Sequence, residues 1–186
     1  MAARKVISVF GSSSPAPADP EYVLAYELGA ALARAGYTVC NGGYGGIMEA
    51  SARGAREAGG QTIGVVAAAF GDRQPNSWIE SVVTTDSLVE RLLKLVALGD
   101  AYVILKGGTG TLLEFAAVWE FVNKRMMQEK PIIVVGGFWN GLVKTLKEEL
   151  AQEGAAGGTG HVIVVDSPGA CVRVLNERLG RKGSGS

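Results

Sequence analysis

Short β-branched runs alternate with amphipathic segments along this chain, and three of the runs end at glycine-rich turns. Lys5–Phe10 (KVISVF) stops at Gly11-Ser12-Ser13-Ser14, and Tyr37–Asn41 stops at Gly42-Gly43-Tyr44-Gly45-Gly46. Ala101–Leu105 leads through Lys106 into Gly107–Gly110. Gln61–Ala67, Pro131–Val135 and Val162–Val165 read as further strands, and Trp78–Thr84 as a weaker one after a polar loop with Asp72, Arg73 and Pro75. Helices are predicted over Glu21–Arg34, Ile47–Ala58, Ser87–Leu98, Thr111–Arg125, Trp139–Gln152 and Ala170–Leu179. Local punctuation agrees with the first of these. Asp19-Pro20 places an N-cap before a proline at N1, and Gly36 supplies a stop. Ser87-x-x-Glu90 is a capping box for the third. Strands apolar on both faces, each followed by a helix, predict an α/β fold: a doubly wound, mainly parallel sheet with helices on both faces.

The 186 residues suit one domain over 1–180, with Gly183-Ser184-Gly185-Ser186 in a flexible tail over 181–186. Hydrophobic residues at 47% and charged residues at 19% exclude an intrinsically disordered chain. Eighteen basic residues balance eighteen acidic ones, which argues against general nucleic-acid binding and against a membrane surface. The apolar run Thr62–Phe70 is too short to span a bilayer, and no signal-peptide pattern opens the sequence. Cys40 and Cys171, far apart in apolar contexts, are expected as buried thiols in a reducing, cytoplasmic compartment.

In a doubly wound sheet, ligands bind beyond the carboxyl ends of the strands, where the strand order switches. The three glycine turns are therefore expected on one rim. The sharpest is Lys106-Gly107-Gly108-Thr109-Gly110-Thr111-Leu112-Leu113-Glu114, between a strand and a helix. Glycines let the backbone approach a ligand, and a helix N-terminus offers unpaired N–H groups to an anion. The pattern is neither a Walker loop nor a GxGxxG fingerprint. The same glycines also serve a plain tight turn, with Thr111-x-x-Glu114 as its capping box. His161, the single histidine, reads as a loop residue at a strand start. No His/Cys/Asp cluster has metal-ligand spacing and no G-x-S-x-G elbow occurs, so neither a metal nor a serine triad is expected. Lys106 is the one candidate for a Schiff base, although a neighbour of a bound phosphate suits it better. Met126-Met127 and Trp119-Glu120-Phe121 are assigned to helix packing or to a dimer face.

Gly107–Glu114 resembles the PGGxGTxxE signature of the Lonely Guy (LOG) family, whose members older naming calls lysine decarboxylases. Val9–Ser14, Gly42–Met48 and Gly59–Val65 are similar to the family's first turn, GGGxxGLM turn and third strand, so the likeness spans roughly residues 5–145. It implies a Rossmann-like fold without a nicotinamide or other cofactor, and a homodimer acting on a small-molecule nucleotide. The implied reaction is hydrolysis of a cytokinin nucleoside 5′-monophosphate or AMP to free base and ribose 5-phosphate. The alternative is a non-catalytic nucleotide or molybdenum-cofactor carrier of the same fold. By this likeness Arg91 and Glu114 form the catalytic pair, and Gly11, Ser12, Gly43, Met48, Gly107, Gly108, Thr109, Gly110 and Thr111 bind substrate and its phosphate. Lys106, Leu92 and Leu113 depart from the family's proline, lysine and acidic residue.

Breaking a ribosyl C–N bond builds positive charge on the sugar, which a carboxylate stabilises while orienting water. Glu114, three residues beyond Thr111, is placed for that and is expected to be ionised near the helix N-terminus. Arg91 either stabilises the departing base or belongs to a solvated face with Lys94, opposite a stripe of Leu88, Leu92, Leu95 and Val96.

Overall fold

The computed structural model describes residues 4–154 and 156–180, so the tail expected over 181–186 lies outside the described residues. The strands are β1 (Val6–Phe10), β2 (Thr38–Asn41), β3 (Thr62–Ala67), β4 (Ser81–Thr85), β5 (Ala101–Ile104), β6 (Ile132–Val135) and β7 (Val162–Val165). The helices are α1 (Pro20–Arg34), α2 (Ile47–Glu57), α3 (Leu88–Leu98), α4 (Thr109–Asn123), α5 (Asn140–Gln152) and α6 (Pro168–Arg178). The strands form one parallel sheet in the order β4-β3-β2-β1-β5-β6-β7. From β1 the chain steps outward to β4, then returns to place β5 on the other side of β1. The order therefore switches between β1 and β5, where Phe10 pairs with Ile104.

Two apolar layers cover the sheet. On one face α1, α2 and α6 bury Leu28, Leu32, Ile47 and Leu175 against Ile7, Val39 and Val103. On the other, α3, α4 and α5 bury Leu95, Phe115, Val118 and Val143 against Phe10, Tyr102 and Ile104. The thiols of Cys40 and Cys171 are free and buried, and burial pushes each up to about 12, so neither is reactive. Trp119 packs inside on Phe115, with its indole N–H donating to the Gly158 carbonyl, whereas Met126 is exposed. His161 stands beside Glu129, 3.2 Å away. Among the described residues no helix is long and apolar enough to cross a membrane.

At two boundaries the difference from the sequence reading has a clear local cause. Strand β4 starts at Ser81, not Trp78, because side chains capture the preceding backbone. Asn76 Oδ1 accepts from Trp78 N at 3.0 Å, and Thr62 Oγ1 donates to Trp78 O at 2.7 Å. Helix α4 starts at Thr109, with Gly108 as its N-cap and no side-chain cap. Thr111 is thus inside the first turn and makes no capping box with Glu114. Ser87 does cap α3 through Glu90 N at 3.1 Å, as expected. Asp19 stands at the N-cap position of α1, but its carboxylate accepts from Ala16 N instead of the helix.

Candidate active site

The three glycine turns meet at the carboxyl edge of the sheet, beside the switch point, and backbone bonds knit them together. Ser12 N donates to Lys106 O at 3.1 Å, and Ile47 N donates to Ser12 O at 2.9 Å. The first turn is thereby tied to the end of β5 and to the start of α2. Asn41 organises the second turn from beneath. Its Oδ1 accepts from Gly43 N at 2.8 Å, and its Nδ2 donates to Met48 O at 2.8 Å and Ser51 Oγ at 3.1 Å.

A cavity of about 420 Å³ opens between these turns and helices α3 and α4. Gly11, Ser12, Met48, Arg91, Gly108, Thr109, Gly110, Thr111 and Glu114 line it, together with Tyr44, Phe70 and Arg73. Gly43 and Gly107 do not. Gly43 is buried at φ +78°, a conformation glycine adopts without strain, and shapes the turn. Gly107 lines a neighbouring depression with Lys106, Glu21 and Phe138. Lys106 pairs there with Glu21 and lies over the Phe138 ring, and it does not line the cavity.

Arg91 is buried on α3 next to Leu95 and Val96, while Leu88 is exposed. The solvated-face assignment is therefore wrong. Four partners hold the guanidinium away from bulk water. Nε donates to Val65 O at 2.8 Å, Nη2 meets Met48 Sδ at 3.8 Å, and Tyr44 and Phe70 face it at 5.7 and 5.8 Å. Its Nη1 lies 3.7 Å from Glu114 Oε1. Burial pushes the Glu114 carboxyl up to about 7, against the opposing pull of Arg91. The expectation of a carboxylate held fully ionised by its helix terminus is thus corrected: desolvation outweighs the pull of Arg91.

Sequence reasoning missed Asn41, Tyr44, Phe70 and Arg73. Asn41 alone left a signal, as a polar residue ending an otherwise apolar strand before two glycines. The uncapped first turn of α4 and the hydroxyls of Thr109 and Thr111 suit an anion. The adjoining pair of a carboxyl titrating near neutrality and a fixed cation suits proton transfer and charge stabilisation. Among the described residues no cluster of His, Cys, Asp and Glu could hold a metal ion.

The family model described as the SLOG cluster4 family matches residues 4–172. A Mycobacterium marinum protein named cytokinin riboside 5′-monophosphate phosphoribohydrolase is 35% identical over 159 residues, covering 82% of this chain and 84% of its own. A Mycobacterium tuberculosis protein of the same name is 34% identical over 140 residues, covering 73% and 74%. The solved Moco carrier protein of Chlamydomonas reinhardtii superposes with a TM-score of 0.76 at 24% identity, over 97% of this chain and all of its own, a likeness of fold.

Proposed function

The chain belongs to the SLOG cluster4 family, and from that premise we propose that it hydrolyses the N-glycosidic bond of a nucleoside 5′-monophosphate, AMP or an N6-substituted relative, to free base and ribose 5-phosphate. One observation carries this reading. The Glu114 carboxyl and the Arg91 guanidinium stand 3.7 Å apart in the same cavity as the uncapped N-terminus of α4. In this reading the 5′-phosphate rests on the first turn of α4, with the Thr109 and Thr111 hydroxyls beside it. That leaves C1′ facing Glu114. The C1′–N bond breaks with its electron pair going to the base, and the base takes up a proton from solvent, which Glu114 returns when it later releases the proton it takes from water. Water bonds to C1′ and passes its proton to Glu114, whose negative charge has faced the oxocarbenium-like sugar. Arg91 meets the charge developing on the leaving base.

The cavity also supports a second reading, a non-catalytic carrier of a nucleotide or of the molybdenum cofactor. Leu92 and Leu113 favour it, since both line the cavity where the LOG pattern has lysine and an acidic residue. Incubating the protein with AMP and with an N6-substituted AMP, then measuring free base by chromatography, separates the two. Base release supports the hydrolase. Tight binding without release supports the carrier.

A further inference from the structure

The first two glycines of the Gly42–Gly46 turn are not equivalent. Gly43 sits at φ +78°, so its backbone accounts for it. Gly42 lies outside the left-handed region and imposes no such demand. Its surroundings do. A Cβ built there would fall 1.6 Å from Arg91 Nη2, 2.8 Å from Arg91 Cζ and 2.6 Å from Met48 Sδ. All three are the far ends of long side chains, and two belong to the guanidinium that faces Glu114.

The bed of that guanidinium is built largely from one turn. Asn41 fixes the turn with three hydrogen bonds, Tyr44 and Met48 supply a ring face and a sulfur, and Gly42 leaves the gap. Val65 O anchors Nε from the adjacent strand. We propose that Gly42 is a positioning residue of the candidate active site: by lacking a side chain it leaves the space in which the Arg91 guanidinium rests beside Glu114. The inference concerns the pair whose catalytic use rests on the proposed function, but the positioning itself is measurable without turnover.

Arg91 and Arg73 are the charged side chains that share the cavity with Glu114. Arg91 lowers the Glu114 proton affinity against the effect of burial. Alanine at position 42 is expected to displace the guanidinium from its bed and with it the charge that faces the carboxyl. The test is the titration midpoint of Glu114, followed by NMR of 13C-labelled carboxyl groups in the wild type, Gly42→Ala, Arg91→Gln and the double variant. Glu114→Gln identifies the resonance.

Gly42→Ala is expected to raise the midpoint by about one unit, a tenfold gain in proton affinity. Arg91→Gln is expected to raise it too, and the double variant no further than Arg91→Gln alone. A folded Gly42→Ala with an unmoved midpoint overturns the proposal, as does the same added shift in the Arg91→Gln background. Should Gly42→Ala fail to fold, Gly42→Ala/Arg91→Ala must restore a folded chain, because the closest clash is then gone and the end of the Met48 side chain can shift into the vacated space. Failure of that rescue also overturns it. In an active wild type, Gly42→Ala is further expected to lower base release more than tenfold at neutral pH. Absence of activity in the wild type would count against the hydrolase and leave the titration result standing.

Discussion

Glu114 Oε1 lies 3.7 Å from Arg91 Nη1, yet the carboxyl holds its proton up to about 7. A cation this close normally lowers a carboxylic acid; here the loss of hydration of the buried Glu114 carboxyl is the larger effect. The pair is therefore an acid poised near neutrality next to a fixed positive charge, and the consequences are measurable.

The first consequence is on stability. Unfolded, Glu114 titrates near 4.5; folded, it titrates near about 7. Between those values the folded chain binds more protons than the unfolded one, so stability falls as pH rises. The loss attributable to this residue is on the order of 3 kcal/mol once both forms have ionised. Glu114→Gln should lack that part of the pH dependence. Urea unfolding of both chains at pH 5 and pH 8 checks it, and parallel pH dependence in the two would contradict the buried-carboxyl account.

The second is on catalysis. If the ionised form faces the ribosyl cation, kcat/KM for AMP should rise through a midpoint near pH 7 and level off above it. Glu114→Gln keeps the size of the side chain but not the charge, and is expected to bind AMP while releasing base ~10²–10³-fold more slowly. Near wild-type turnover in that variant would remove Glu114 from the mechanism.

Gly110 separates a folding role from a binding role. It sits inside the first turn of α4, and an added Cβ would meet open space. Gly110→Ala should raise stability by about 0.5–1 kcal/mol through helix propensity alone. The same methyl would stand in the cavity that Gly110 lines. AMP affinity should therefore fall while Tm rises. A variant that gains stability and binds AMP unchanged would move the phosphate away from this helix terminus.

Much of this architecture was legible in the chain. β-branched runs ending at Gly11, Gly42 and Gly107 marked the rim, because glycine is where a strand can turn sharply toward a ligand. The register at β4 was not, since Asn76 and Thr62 divert the backbone of Trp78–Glu80 into side-chain bonds that no periodicity reports. The face of α3 was misread for a similar reason. Leucine spacing put Leu88 inside and Arg91 outside, but Val65 O, Met48, Tyr44 and Phe70 come from distant segments to make a polar-aromatic bed that buries the arginine. The Glu114 shift depends on that same burial. The resemblance to the LOG pattern named the pair; only the packed surroundings set its charge state.

Lys106 provides the last test, because it distinguishes chemistry at the glycine turn from chemistry beside it. Its ammonium pairs with Glu21, whose carboxyl it holds below the ordinary range, and Phe138 covers it at 5.8 Å. This places it in the depression next to Gly107, outside the cavity that Arg91 and Glu114 share. Lys106→Met is therefore expected to leave the AMP dissociation constant little changed, whereas Thr111→Ala, within the cavity wall, should weaken it. Pyridoxal phosphate added to the wild type should give no stable Schiff base that borohydride traps at position 106, the lysine being tied up as an ion pair and not desolvated as a reactive amine. A large loss of AMP affinity in Lys106→Met would mean that the ammonium leaves Glu21 for the phosphate, and trapping of pyridoxal phosphate would reopen decarboxylase chemistry.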